Sequence, residues 1–249
     1  MSAPYVSIVV PAYNEEARLG KSLTAIGAWL EAHGIAGEVV VVDDGSSDGT
    51  SALLEEAHRG DPGVRSLRFR ANRGKGAAVR EGVLAASGSL VLVTDADLST
   101  PIEDLGRLLE RMRETASDVV IGSRALEGSR IEVRQPFWRV LIGKAGNRLI
   151  RALTRLPFHD TQCGFKLLDR EKLVPIVRKM VVDRFAYDIE LLWLAKLAGL
   201  RILEEPVTWR NSPDSRVSAL RDPFNVLADV VRIRRRIRRG FYRSRSAGT

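Results

Sequence analysis

The sequence has one cysteine and no long apolar run. Because Cys163 has no second cysteine to pair with, the chain cannot form an intramolecular disulfide, and a reducing compartment is compatible with it. No stretch of about 18 apolar residues occurs, so the sequence predicts no transmembrane helix. Residues 1–4 lead directly into a strand pattern, and we expect no signal peptide. These absences argue against a disulfide-stabilised scaffold and against a membrane-spanning protein.

Acidic residues are absent from the end of the sequence, which is strongly basic. The formal net charge is +8, and residues 232–249 alone contain eight arginines and no acid. Residues 1–231 are therefore formally neutral, and a broad basic face that would bind nucleic acid is not expected. The eight arginines are Arg232, Arg234, Arg235, Arg236, Arg238, Arg239, Arg243 and Arg245.

Short apolar runs alternate with helical patterns in the first half of the 249-residue chain. Runs of this kind are typical of strands buried on both faces, and their alternation with helices predicts an α/β fold. We expect a doubly wound, mainly parallel, Rossmann-like sheet. The predicted strands are residues 5–11, 38–42, 64–69, 89–93 and 118–122.

The pattern changes after residue 124. The later sequence predicts a helical segment followed by a basic amphipathic tail over residues 222–249. In order, it predicts a loop over 130–137, a helix over 138–154, a polar segment over 159–166, a helix over 185–198 and a late strand over 202–209.

Polar clusters follow the predicted strands, and the carboxyl ends of parallel strands meet at one edge of a sheet. The acidic pair Asp95 and Asp97 offers two hard oxygen ligands, which suit a Mg²⁺ or Mn²⁺ ion that keeps waters and bridges to a diphosphate. Either aspartate could instead cap the helix that starts near Pro101. Residues 43–46 could be only a turn and a cap, and residues 74–76 lack the full phosphate-loop pattern of an ATPase.

Six motifs together resemble one family. Residues 10–16 (VPAYNEE), 42–46 (VDDGS), 72–76 (NRGKG) and 95–97 (DAD) resemble a family 2 glycosyltransferase of the GT-A fold. Residues 160–166 (DTQCGFK) and 184–192 (RFAYDIELL) resemble the polyprenyl (dolichyl)-phosphate sugar synthases, in particular the dolichyl-phosphate β-glucosyltransferase branch and, beyond it, dolichyl-phosphate mannose synthase. The resemblance implies one domain over residues 1–221, with a nucleotide-sugar half up to about residue 124 and an acceptor half after it.

The resemblance also implies site residues. Asp95 and Asp97 would hold Mg²⁺ or Mn²⁺ and, through it, the donor diphosphate. The nucleotide sugar would contact Pro11, Tyr13, Glu15, Asp43, Asp44, Arg73, Lys75, Asp95 and Ala96. The acceptor or donor phosphates would contact Arg124, Arg134 and Arg216, of which Arg216 stands where the family pattern has a lysine. The candidate catalytic residues would be Asp95, Asp97, Asp188, Glu190 and Arg216.

The implied reaction is inverting transfer of a hexose, glucose being favoured, from UDP-glucose to a polyprenyl phosphate. A phosphomonoester has a second pKa of about 6, so the acceptor is largely dianionic at neutral pH and needs little help from a base. Asp188 and Glu190 would then orient sugar hydroxyls or a phosphate-binding arginine. The alternative is a solvated acidic helix face.

The basic tail would bring the enzyme to its lipid substrate. Apolar residues would supply membrane anchors beside the arginines, and anionic headgroups attract such a basic segment. These residues are Val226, Leu227, Val230, Val231, Ile233, Ile237, Phe241 and Tyr242. We expect a cytoplasmic protein that is peripheral on the cytoplasmic face of the membrane. RNA binding and a solvated tail without a partner remain alternatives.

Other functions stay open from the sequence alone. GDP-mannose could replace UDP-glucose, a soluble glycan could replace the lipid, and a non-catalytic nucleotide-sugar-binding module is a third class. Cys163 has no visible base, so a structural role is favoured over that of a nucleophile. The sequence leaves the choice of metal, the polyprenol length and the oligomeric state undetermined.

Overall fold

The computed structural model of the protein describes residues 4–132, 137–210 and 221–244. Within these ranges, no helix is both long enough and apolar enough to cross a membrane. The strands are β1 (Val6–Ala12), β2 (Gly37–Asp43), β3 (Val64–Arg68), β4 (Leu90–Val93), β5 (Val119–Ser123), β6 (Arg130–Ile131), β7 (Lys166–Asp169), β8 (Ile202–Pro206) and β9 (Thr208–Trp209). The helices are α1 (Leu19–Ala32), α2 (Thr50–Gly60), α3 (Lys75–Ala85), α4 (Asp104–Thr115), α5 (Phe137–Thr154), α6 (Arg170–Val177), α7 (Tyr187–Leu197), α8 (Arg221–Arg238) and α9 (Phe241–Ser244).

Seven of these strands form one sheet in the order β3-β2-β1-β4-β7-β5-β8. Neighbouring strands are parallel except for β7, which runs antiparallel between β4 and β5. The predicted mainly parallel, doubly wound sheet is therefore confirmed. A second, two-stranded sheet pairs β6 with β9 in parallel.

Successive side chains of the sheet point into two separate apolar layers. Ile8 and Val10 pack with α1 and α4, whereas Val9, between them, packs with α3, α6, α7 and α8. Because a strand turns alternate side chains to opposite faces, a sheet covered on both faces needs the continuous apolar runs seen in the sequence.

One prediction for the second half is wrong, and one strand was not predicted. Strand β7 begins at Lys166, the last residue of the predicted polar segment, and this fully buried lysine interrupts the apolar run that would identify a strand. The loop predicted over 130–137 contains β6 and the start of α5. Very short strands carry too few residues to show a period of two.

The apolar face of α8 lies in the domain core. Val226, Val230 and Ile233 are buried in the same cluster as residues of α7, and Tyr242 of α9 joins them. These side chains are therefore not free to insert into a membrane, which corrects the prediction that they serve as membrane anchors. The boundary placed at residues 221/222 stays a prediction.

Glu38 links neighbouring segments by hydrogen bonds at the edge of the sheet opposite to the polar clusters. Its carboxylate accepts hydrogen bonds from Ser7 Oγ at 2.6 Å and from the backbone N–H and hydroxyl of Ser87 at 2.7 and 2.6 Å. Arg65 Nη1 lies 2.7 Å from its other oxygen. Burial alone would raise the pKa of Glu38, but these donors outweigh it and lower the pKa from 4.5 to about 2.

We expect Glu38→Gln to lower the free energy of unfolding by roughly 2–3 kcal/mol at pH 7. The folded-state pKa is depressed, so this contribution is fully present above pH 4.5 and is lost as the pH falls toward about 2. Urea unfolding of both proteins between pH 7 and pH 3 measures the difference. Glu56→Gln, on an exposed position of α2, is the control. A difference that stays constant with pH would contradict the prediction.

Candidate active site

The loops after β1 and β2 are joined at the carboxyl edge of the sheet. The N–H of Asn14 donates to Ser46 Oγ at 2.8 Å, and the N–H of Ser47 donates to Asn14 Oδ1 at the same distance. Asn14 has a φ of +55°, a conformation that asparagine tolerates better than most residues. The N–H of Glu15 donates to Thr50 Oγ1 at 2.8 Å. Two of the family motifs thus form one rigid surface.

Asp44 attaches the loop after β3 to this surface. Its buried carboxylate accepts the N–H groups of Arg73 and Gly74 at 2.6 and 2.8 Å and the amide of Asn72 at 2.9 Å. Gly45 allows this approach, because a Cβ there would lie 2.6 Å from the backbone of Ala71. Asp44 stays a predicted nucleotide contact, and the structure gives it the role of holding the Asn72–Gly74 loop.

Asp43 is also buried and hydrogen-bonded. Its oxygens accept the N–H of Ser46 at 2.8 Å and the hydroxyl of Ser51 at 2.6 Å. Arg68 Nε lies 3.4 Å from its Oδ2. Asp43 therefore stabilises the loop that would form the predicted base pocket, and its contact with a nucleotide remains a prediction.

Asp95 follows β4 and forms an ion pair with Lys75, the first residue of α3. Its side chain is 34% exposed. Burial alone would raise the pKa of Asp95, but the Lys75 ammonium offsets this and holds the pKa below its usual range. Gly164, just before β7, lies against the Asp95 carboxylate and leaves no room for a side chain.

Asp97 lies two residues further on and is 18% exposed. Its Oδ1 accepts the N–H and hydroxyl of Ser99 at 3.0 and 2.8 Å, which sets its orientation. Arg18 Nη1 lies 3.5 Å from its Oδ2, and the same guanidinium is 2.6 Å from Glu15. Glu15 and Asp97 are thus linked through a cation that the sequence analysis did not single out.

The acidic pair fits a Mg²⁺ or Mn²⁺ ion. Asp95 and Asp97 are both partly exposed and present hard oxygen ligands. Within the described residues no group of three or more His, Cys, Asp and Glu side chains surrounds a point. Two carboxylates suit an ion that completes its shell with waters and substrate phosphates.

Arg124 follows β5 and forms a two-pronged ion pair with Asp160. Its Nε and Nη2 lie 2.6 and 2.9 Å from the two carboxylate oxygens. Burial alone would raise the pKa of Asp160, but the guanidinium more than offsets this and lowers it. The Arg124 side chain remains one-third exposed, and its pairing with Asp160 fixes the orientation of the guanidinium at the site.

Asp188 lies in the first turn of α7 and is buried beside Lys166. Burial raises the pKa of Asp188, and Lys166 and Lys75 offset only part of that effect. Lys166 also donates to the carbonyl of Cys163. Asp188 therefore orients a lysine instead of the predicted arginine.

Glu190 is directed away from Asp188. Its fully buried carboxylate accepts the N–H groups of Val181 and Val182 at 3.1 and 2.9 Å and the hydroxyl of Tyr242 at 2.6 Å. The alternative of a solvated acidic helix face is wrong for both acids. Glu190 has structural partners and no contact to Asp95 or Lys75, which argues against placing it with the reacting groups.

The other predicted residues are distributed around this centre. Pro11 is partly buried and Tyr13 is exposed at the end of β1, and Arg73 stacks on the ring of Phe69 at 4.4 Å. Ala96 is buried, and its carbonyl accepts the Ser22 hydroxyl at 2.7 Å. Arg134 and Arg216 lie outside the described residues.

Cys163 is buried, and burial and the nearby Asp160 raise the pKa of its thiol. This favours the structural role over that of a nucleophile. The residues that the sequence analysis missed are Arg18, Asp160, Gly164 and Lys166. Three of them belong to residues 160–166, where polar residues and a glycine interrupt an otherwise buried segment.

The geometry defines a class of protein. An acidic pair, a lysine at a helix start and an arginine meet at the carboxyl edge of a doubly wound sheet, where such folds bind nucleotide diphosphates. The sequence profile described as "Glycosyl transferase family 2" matches residues 7–175. The chain belongs to this family, and it is a glycosyltransferase.

Curated relatives are similar over most of their length. The dolichyl-phosphate beta-glucosyltransferase of Dictyostelium discoideum is 32% identical over 253 aligned positions, which cover 97% of this chain and 77% of the relative. The proteins of the same name from Homo sapiens and Saccharomyces cerevisiae are 33% and 31% identical, each covering 96% of this chain and 77% of the relative.

Solved structures have the same fold. Glucosyl-3-phosphoglycerate synthase from Mycobacterium tuberculosis, crystallised with Mn²⁺ and UDP-Glc, has a TM-score of 0.69 at 19% identity, covering 93% of this chain and 79% of that one. Mannosyl-3-phosphoglycerate synthase from Rubrobacter xylanophilus has a TM-score of 0.66 at 22% identity, covering 95% and 75%. These matches confirm the predicted GT-A fold.

We expect Gly164→Ala to weaken Mn²⁺ binding by roughly 10- to 100-fold, the range typical of a disturbed ligand environment. A Cβ at residue 164 would lie 2.7 Å from Asp95 Cγ, and the short carboxylate would have to turn away while the fold persists. Titration calorimetry in the presence of UDP measures the affinity, and the melting temperature reports the fold. Gly27→Ala in α1, which meets nothing within 4 Å, is the matched control. Unchanged Mn²⁺ affinity in Gly164→Ala would contradict the assignment.

Proposed function

We propose that this protein is an inverting glucosyltransferase that moves glucose from UDP-glucose to a polyprenyl (dolichyl) phosphate at a membrane surface. The observation that carries the proposal is the row of paired charges at the carboxyl edge. The partly exposed acids Asp95 and Asp97 stand beside Lys75 and Arg124 there. The names of the curated relatives supply the sugar and the acceptor.

The donor half would be formed by the loops after β1, β2 and β4. Pro11, Tyr13 and Asp43 would line the base and ribose pocket, and Lys75 would face the diphosphate. Arg18 would keep Glu15 and Asp97 in place, since it touches both. Arg134 and Arg216 remain predicted phosphate contacts.

Asp95 and Asp97 would hold a Mg²⁺ or Mn²⁺ ion, which supplies positive charge to stabilise the departing nucleoside diphosphate. The chain itself supplies further positive charge through Lys75 and Arg124. Asp160 holds Arg124, and Asp188 holds a second lysine, Lys166.

The acceptor requires little proton transfer. A lipid phosphomonoester with a second pKa of about 6 is already largely dianionic at pH 7 and can attack the anomeric carbon directly. The pairing of Asp188 with Lys166 agrees with this, because the carboxylate is buried and already holds a lysine. Arg124 would orient the acceptor phosphate through its exposed third.

The membrane contact would depend on arginines and not on apolar anchors. Arg232, Arg235 and Arg239 are exposed at a spacing of three and four residues, so they form one stripe on α8 and at its end. The buried residues Val230 and Ile233 lie on the opposite face. This stripe suits the anionic headgroups on the cytoplasmic face, where we propose that the protein is peripheral.

We expect radiolabelled glucose to pass from UDP-glucose to a polyprenyl phosphate in detergent, in a reaction that EDTA abolishes. Asp97→Asn should lower kcat/KM by at least about 100-fold, because the metal provides several kcal/mol of charge stabilisation. Glu56→Gln removes an exposed acid far from the site and is the control. Organic extraction separates the lipid product.

The alternatives give different outcomes in the same assay. A product formed only from GDP-mannose would keep the mechanism and overturn the donor. A product found only on a soluble glycan would overturn the acceptor. Metal-dependent UDP binding with no transfer to any acceptor would indicate a non-catalytic module.

We expect replacement of the three stripe arginines by glutamine to weaken binding to anionic vesicles by roughly 100-fold, at about 1 kcal/mol for each arginine near the surface. Flotation of vesicles containing phosphatidylserine at moderate salt measures the binding. Glutamine at three exposed basic positions on other helices is the matched control, namely Lys21, Arg59 and Arg113. Equal loss in both triple variants, or RNA binding that exceeds vesicle binding, would contradict the proposed surface.

A further inference from the structure

The hydroxyl of Tyr242 has a buried and charged partner. Tyr242 lies in α9, beyond the arginine stripe, and is 6% exposed. Its hydroxyl donates to Glu190 Oε1 at 2.6 Å, and its ring packs in the core cluster that includes Val230 and Ile233. A hydrogen bond to a buried carboxylate is among the stronger ones in proteins. This hydrogen bond therefore links α9 to α7.

Glu190 also binds the segment between α6 and α7. Its two oxygens accept the N–H of Val181 at 3.1 Å, and its Oε2 accepts the N–H of Val182 at 2.9 Å. Within the described hydrogen bonds, the carboxylate thus holds two successive peptide groups of this connection. A buried carboxylate needs such donors to compensate its charge, so the removal of one donor destabilises it.

The carbonyls of the same segment hold the start of α3. Asp183 O accepts the N–H of Ala77 at 3.1 Å. Gly76 packs against Val182 so closely that a Cβ would lie 2.5 Å from its carbonyl oxygen, and Gly74, with a φ of +108°, packs against Asp183 in the same way. The two glycines therefore let the loop lie directly on this support.

Lys75 stands between these two glycines and pairs with Asp95. The contacts form a continuous series from the Tyr242 hydroxyl to Glu190, to residues 181–183, to residues 74–77 and to the acidic pair. Each step is a hydrogen bond, an ion pair or a backbone contact, and the Glu190 side chain that carries the first step is fully buried.

We propose that Tyr242 is a positioning residue for the donor site, and that it acts through Glu190 and residues 181–183 on Lys75. This inference rests on the proposed function, in which Lys75 faces the donor diphosphate. It assigns to the C-terminal helices a role in the donor half in addition to the proposed membrane contact.

The test compares Tyr242→Phe with the wild type in the 249-residue chain. The phenylalanine ring keeps the packing and removes only the hydroxyl, and we expect a 3- to 10-fold rise in the Kd of UDP in the presence of Mn²⁺. The KM for UDP-glucose should rise by a similar factor, while the KM for the lipid acceptor stays unchanged. Val230→Ala, which removes buried packing from α8, is the control for loss of stability.

A merely structural role would give a different pattern. It would reduce the active fraction and hence kcat, with the UDP Kd and donor KM unchanged, and Val230→Ala would behave like Tyr242→Phe. That result would overturn the inference.

Glu190 provides the rescue experiment. Glu190→Gln can still accept the two N–H groups and can donate its amide hydrogen to the Tyr242 oxygen, so its UDP Kd should stay within about 3-fold of the wild type. Glu190→Ala, which loses all these partners, should weaken UDP binding at least as much as Tyr242→Phe. Equal UDP affinity in the alanine and glutamine variants would contradict the proposed series of contacts.

Lys75→Met separates this inference from the proposed function. If Lys75→Met weakens UDP binding and Tyr242→Phe does not, only the role of Tyr242 is wrong. If Lys75→Met leaves UDP binding unchanged, Lys75 does not contact the donor. That result would overturn the inference about Tyr242 and would remove Lys75 from the proposed donor site.

Discussion

Pairing of ions at the carboxyl edge of the sheet is the constraint on which the site depends. A carboxylate removed from water costs several kcal/mol unless an opposite charge and hydrogen bonds compensate it. Asp95, Asp160 and Asp188 each have one basic partner, namely Lys75, Arg124 and Lys166. Because each pair joins two segments that are distant in the sequence, the pairs also fix those segments relative to one another. The family motifs thus stabilise the carboxyl edge of the sheet as well as supplying the predicted ligand contacts.

This constraint explains the glycines of the motifs. Gly164 makes room for the Asp95 carboxylate, and Gly74 and Gly76 let the start of α3 lie against residues 182 and 183. Under the proposed function, Lys75 neutralises Asp95 in the free protein. Asp95 would also hold a divalent ion, which would supply positive charge of its own, so the Lys75 ammonium would be available to phosphate oxygens. Such an arrangement needs partners held within about an ångström, which side chains on freely moving loops would not provide.

Much of the site follows from the sequence because strand ends obey a simple rule. The runs that end before Asp43, Asp95 and Arg124 are apolar and continuous, and parallel strands bring their ends to one edge. The antiparallel β7 does not follow from the pattern, because Lys166 is polar and yet fully buried by its pairing with Asp188. Glu190 could not be separated from Asp188 either. The two residues lie about 200° apart around the helix axis and both are buried, so only the tertiary packing shows that Asp188 meets Lys166 and that Glu190 meets Tyr242 of α9.

The amphipathic pattern of α8 illustrates the same limit for an interaction surface. Its period predicts one apolar face and one basic face, but it does not say whether lipid or protein covers the apolar one. In the structure the core covers it, since Val226, Val230 and Ile233 are buried with α7. The exposed face of the helix carries the arginines, so the membrane attraction that we propose would be largely electrostatic and sensitive to salt. Two residues separate α8 from α9, whose Tyr242 contacts Glu190. A deletion of the tail would therefore remove core packing together with charge, and only substitutions on the exposed face separate the two.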